Sequence, residues 1–112
     1  MKHAEQQIQI HFVTWFRAKH PKLLMTSAPG NSRSAKEGAL KKKLGYRKGW
    51  PDIFIAFPSK GFNGLMIEFK TPTGKIDKKY QEPLLEKLND LGYKAVICRS
   101  VDEAIKVVES YL

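Results

Sequence analysis

The stretch Gly49-Trp50-Pro51-Asp52-Ile53-Phe54-Ile55-Ala56-Phe57, answered by Gly64-Leu65-Met66-Ile67-Glu68-Phe69-Lys70, decides the fold of this chain. Both segments are short runs of β-branched, aromatic and aliphatic residues, which predicts two buried strands over 53–57 and 65–69. Gly61-Phe62-Asn63-Gly64 reads as a turn, and so short a connection joins antiparallel partners. Side chains alternate across a strand, so Glu68 and Lys70 share one face while Ile67 and Phe69 share the other. A carboxylate and an ammonium on an otherwise apolar strand are expensive to bury. Asp52, at the head of the neighbouring strand, can bring a second carboxylate to the same spot. Two hard-oxygen ligands beside a lysine point to a site for Mg²⁺ or Mn²⁺.

Upstream, residues 3–19 read as an amphipathic helix with Ile8, Phe12, Trp15 and Phe16 at helical spacing, ended by Pro21. Leu23-Leu24-Met25-Thr26 is a short strand, Ser27 to Ser32 a loop, and residues 34–44 a short basic helix. Downstream, Pro72-Thr73-Gly74-Lys75 is a turn. It is not a phosphate loop, because Phe69 and Ile76 stand where a Walker A motif needs glycine and Ser/Thr. Asp77 is an N-cap for a helix over 78–90, with Leu84, Leu85, Leu88 and Leu91 as its stripe. Pro83 conflicts with that span and must kink the helix or shift its start. Tyr93 to Arg99 reads as a strand buried on both faces. Ser100-x-x-Glu103 is a capping box for a last helix carrying Ala104, Val107, Val108 and Tyr111 inward. The expected fold is α/β, a mixed central β-sheet flanked by helices, with residues 1–112 forming one domain.

Charge is unevenly spread. Between Arg17 and Lys48, ten of the 20 Lys and Arg stand against one acid, Glu37, and the remainder of the chain balances. The whole surplus of +9 therefore sits in one segment, which predicts a surface for a polyanion. Arg33, Lys36, Lys41, Lys42, Lys43, Arg47 and Lys48 are its candidate nucleic-acid contacts, and they lead directly into Asp52. Cys98, the one cysteine, lies in an apolar run, reads as a buried inert thiol and fits a reducing compartment. His3, His11 and His20 are spaced as no known ligand cluster. No run approaches the roughly 20 apolar residues of a membrane span, and the N-terminus lacks a signal-peptide core. A cytoplasmic protein is expected.

Pro51-Asp52 followed by Glu68-x-Lys70 resembles the signature of the PD-(D/E)XK nucleases. With Gly49, Gln81 and Leu91-Gly92-Tyr93 added, the pattern resembles the VRR-NUC (virus-type replication-repair nuclease) branch of that superfamily, over nearly the whole chain. The resemblance implies a restriction-endonuclease-like core and catalytic roles for Asp52, Glu68, Lys70 and Gln81. It implies metal ligation by Asp52, Glu68 and the main-chain carbonyl of Phe69. Many members add an acidic ligand from the first helix. Glu5 is the candidate, although a first-turn glutamate is also what the helix dipole favours. Asn31 matches a family asparagine and equally suits a turn. Further implications are structure-selective cutting of branched DNA in the manner of a Holliday-junction resolvase, a homodimer, and viral origin.

The competing function is a non-catalytic nucleic-acid-binding module on the same fold, using the basic segment with Tyr46 and Trp50 stacking on bases. A ribosome-associated basic protein would explain the charge. Neither accounts for Asp52, Glu68 and Lys70 together. Nothing resembles a helix-turn-helix, zinc finger or RNP motif, so sequence readout is not expected.

Overall fold

A computed structural model of the chain describes residues 2–28 and 34–112. Asn31 and Arg33 lie outside the described residues. The elements run α1 (Lys2–Lys19), β1 (Met25–Ser27), α2 (Ala35–Lys43), β2 (Ile53–Ile55), β3 (Leu65–Phe69), α3 (Gln81–Asp90), β4 (Lys94–Cys98) and α4 (Val101–Tyr111). The strands form one sheet in the order β1-β2-β3-β4. β1–β2 and β2–β3 are antiparallel, whereas β3 and β4, joined through α3, are parallel. The expected α/β architecture with a mixed sheet is what the chain adopts.

β3 is buried at all five positions, and its alternation builds two cores. Leu65, Ile67 and Phe69 face α1 and α4, where Phe12, Phe16, Ala104, Val108 and Tyr111 meet them. The rings of Phe12 and Phe69 stand 5.5 Å apart. Met66 faces the other way, onto Leu84, Leu85 and Leu88 of α3 and Ala95 of β4. Glu68 continues this second face beyond the apolar contact, toward the start of α3.

Several local details differ from the sequence reading. β2 stops at Ile55, and Phe57 is exposed. β1 begins at Met25, since Leu24 points into solvent. The tight turn lies at Lys60-Gly61, two residues early, where both φ angles are positive (51° and 86°) and Ser59 and Phe62 exchange backbone hydrogen bonds. Those angles are what a two-residue turn between right-twisted strands demands. α3 begins at Gln81 rather than 78. A helix from 78 would need a donor from Pro83 to the Lys79 carbonyl, which proline lacks. Starting at Gln81 places Pro83 in the first turn, where an N–H would be orphaned anyway. Asp77 accordingly caps the preceding turn, accepting the N–H groups of Lys79 (2.8 Å) and Tyr80 (3.1 Å). At α4, Ser100 accepts the Glu103 N–H as expected, but the Glu103 carboxylate reaches back to the N–H of Arg99, one residue before the cap.

α2 is the outlier. Ser34 caps it and Lys41 pairs with Glu37 at 3.2 Å, yet none of its residues is buried. No described helix is long and apolar enough to cross a membrane.

Candidate active site

The site is built at the end of β3, where the β2–β3 ladder stops. Ile53 pairs with Ile67, and continuing that register by two sets Pro51 opposite Phe69. In a strand the N–H and C=O of one residue point to the same edge, so both groups of Phe69 face Pro51. Proline has no N–H, and the Phe69 carbonyl therefore receives no ladder bond from that position. The Phe69 N–H is taken instead by Asp52 Oδ2 at 2.7 Å. One proline thus ends the ladder, while the aspartate after it clamps the strand and holds its carboxylate beside the Phe69 peptide.

Glu68 and Lys70 lie on the α3 side and are only 4% and 8% exposed, so their charges act in a partly desolvated space. Gln81, the first residue of α3, donates from Nε2 to Glu68 Oε2 at 3.0 Å. Its own Oε1 accepts the Asp77 N–H at 3.2 Å, which fixes the amide in that orientation. The late start of α3 is what makes this contact. Lys70 Nζ stands 3.9 Å from Glu68 Oε2, an ion pair too long for a hydrogen bond. Arg99 carries no signal in the sequence, yet it organises the loop after Lys70. Its Nη1 donates to the carbonyls of Thr71 (2.8 Å) and Gly74 (2.7 Å).

The electrostatics are those of carboxylates crowded together. Burial, then the charge of Asp52, pushes the Glu68 carboxyl up to about 8, against the pull of Lys70. Burial likewise raises Asp52, opposed by the Phe69 N–H and reinforced by Glu5. Glu5, half-buried in the first turn of α1, thus acts on both carboxylates through its charge. Among the described residues, no group of three or more His, Cys, Asp or Glu side chains is placed to hold a metal ion. Glu68 Oε1 is buried and receives no hydrogen bond from a protein donor, while the Asp52 carboxyl stands within hydrogen-bonding reach of the Glu68 carboxyl.

An orphaned carboxylate oxygen, a second carboxylate and a main-chain carbonyl freed from its ladder form an all-oxygen donor set. That set fits a hard divalent cation that keeps several of its waters. A family model for the VRR-NUC domain matches residues 1–102. The chain belongs to the VRR-NUC family. A solved structure described as a VRR_NUC domain protein is similar at 26% identity with a TM-score of 0.82, over 96% of this chain and 87% of that one. No curated protein matches. VRR-NUC domains make up a nuclease-type family, and in this chain Asp52, Glu68, Lys70 and Gln81 converge at one sheet end.

Of the predicted nucleic-acid contacts, Lys36, Lys41, Lys42 and Lys43 lie on α2, and Arg47 and Lys48 lie between it and β2. Tyr46 and Trp50 are exposed beside them. Cys98 is buried in the core with its thiol pushed up to about 12, chiefly by burial, as befits an inert group. His20 stacks on Trp15 and Phe16, away from His3 and His11.

Proposed function

We propose that this domain is a divalent-metal-dependent deoxyribonuclease that hydrolyses phosphodiester bonds in branched DNA, in the manner of a junction resolvase. The observation that carries the reading is the buried Glu68, whose Oε1 receives no hydrogen bond from a protein donor, set beside the Asp52 carboxyl and Lys70. Asp52, Glu68 and the Phe69 carbonyl would hold Mg²⁺ or Mn²⁺, with Glu5 adding negative charge from α1. When bound, such an ion polarises a phosphoryl oxygen and acidifies a neighbouring water.

The remaining work falls to the chain's own groups. Gln81 holds Oε2 of Glu68 and so fixes the rotation of its carboxylate, leaving Oε1 for a cation. Lys70, almost buried, offers an ammonium to the negative charge that develops on the phosphoryl group, where low dielectric strengthens it. Lys36, Lys42, Lys43, Arg47 and Lys48 hold backbone phosphates and deliver the strand to Asp52. A four-way junction has approximate two-fold symmetry, so paired cuts call for two such sites in a homodimer.

Linear, flapped, forked and four-way DNA of matched sequence, incubated with Mg²⁺ or Mn²⁺, test this reading. Cleavage restricted to branched substrates is expected. Equal cutting of linear duplex would remove the structural preference, and binding without cutting in either metal would favour the non-catalytic module.

A further inference from the structure

The approach to the active site from the basic segment is not a plain charged surface. Gly49 crosses the turn before α3 with φ +87°, and an added Cβ would lie 2.8–2.9 Å from Tyr80 backbone and Cβ atoms. The chain is therefore pressed onto Tyr80 at a point where only glycine fits. The contact places Lys48 Nζ over the Tyr80 ring at 4.6 Å from its centroid. From the other side in sequence, Lys79 Nζ approaches the same ring at 5.3 Å. Both ammonium groups lie within cation–π reach of one ring. Both remain open to solvent around a ring that is 37% exposed.

The position of this pair is also specific. Tyr80 directly precedes Gln81, the residue bonded to Glu68. Asp77 binds the Tyr80 and Lys79 N–H groups and the Gln81 amide follows from its N–H, so one turn holds both the lysine pair and the carboxylate. The Asp77 carboxyl is lowered first by those Tyr80 and Lys79 N–H groups, and also by the charges of Lys48 and Lys70. Lys48 and Lys70, 22 residues apart, therefore act on one carboxylate.

We propose that Lys48 and Lys79, held around the Tyr80 ring, form a subsite that grips one non-reacting phosphate next to the scissile one. It rests on the nuclease reading above and adds to it a shared anion site, made by two segments that the sequence keeps 31 positions apart. A phosphate bound beside the ring would meet both ammonium charges. It also sets the register of the strand relative to Glu68, because the same turn carries Gln81.

The test is the salt dependence of DNA binding, measured without divalent metal for wild type, Lys48→Ala, Lys79→Ala and the double variant. For duplex DNA, each neutralised phosphate contributes about 0.9 to the log–log slope. Two lysines sharing one phosphate should cost the double variant about 0.9 in slope, or about eightfold in affinity at 0.1 M salt. Two independent lysines would cost about 1.8 in slope, and an unchanged slope would mean no contact; either result overturns the subsite. Tyr80→Phe keeps the ring and should retain the wild-type slope, and loss of slope in that variant would also count against it. In cleavage assays the double variant should raise KM while kcat holds, as expected for binding that is uniform between ground and transition state. A fall in kcat at unchanged KM would contradict a non-reacting phosphate. Wild type serves as the control on the nuclease reading: if it cleaves while the lysine variants match it in slope and KM, the subsite alone fails.

Discussion

Glu68 carries the strongest tension in the molecule, because its carboxyl is pushed from 4.5 to about 8 by burial and by Asp52. Without a cation, burial and the Asp52 charge favour its protonated form. Folding then takes up a proton between about pH 4.5 and 8, so this group makes stability fall as pH rises through that window. Urea denaturation in chelator should show that decline, and Glu68→Gln, which cannot titrate, should flatten it. The same decline in both proteins would contradict the assignment. Much of this site was legible, because period-2 alternation alone places Glu68 and Lys70 on one face. What could not be read was the clamp of Asp52 on the Phe69 N–H. That contact depends on a register ending at Pro51, and register is a property of two strands together.

α1 and α2 stand at opposite extremes of packing. α1 fills one core with Phe12 and Phe16, whereas α2 buries nothing, and its Leu40 and Leu44 are 57% and 64% exposed. Phe12→Ala should lower unfolding free energy by about 3–5 kcal/mol, as removal of a buried ring does. Leu40→Ala should change it by less than about 0.5 kcal/mol, as expected away from the core. Equal destabilisation by both variants in urea would show that α2 is part of the folded core. The helices were readable from their apolar stripes, and Ser34 and Ser100 from their capping preference. The start of α3 was not, although Pro83 signalled a conflict. Asp77 offered a good cap three residues before Tyr80, which stands at the N-cap, and the contact of Gln81 with Glu68 forms only with the later start. Lys79 and Tyr80 gave no sequence signal, since their partner Lys48 is brought to them by the crossing at Gly49.

For the molecule as a whole, the basic segment and the candidate site come from different parts of the chain. The basic surplus runs from the end of α1 through α2 to Lys48, while Asp52, Glu68 and Lys70 lie at the ends of the central strands. Replacing Lys41, Lys42 and Lys43 together should weaken binding to any DNA and lower the salt slope by up to about 0.9 for each phosphate no longer neutralised. The Lys41 share should be the smallest, given its pairing with Glu37. An unchanged slope would place the polyanion surface elsewhere. Light scattering at micromolar concentration should give a dimer mass, alone or on junction DNA. A monomer in both conditions would remove the symmetric resolvase and leave the nuclease. The fold was visible in the sequence because it rests on local periodicity and short turns, whereas assembly depends on how two surfaces meet. The most direct measurement is cleavage and binding of the same four-way DNA, in Mg²⁺ and in Mn²⁺, by wild type, Asp52→Asn and Lys70→Ala. Both variants should bind as wild type does and lose cleavage by about 10²–10³-fold or more. Cleavage by Lys70→Ala and Asp52→Asn at the wild-type rate would contradict the account.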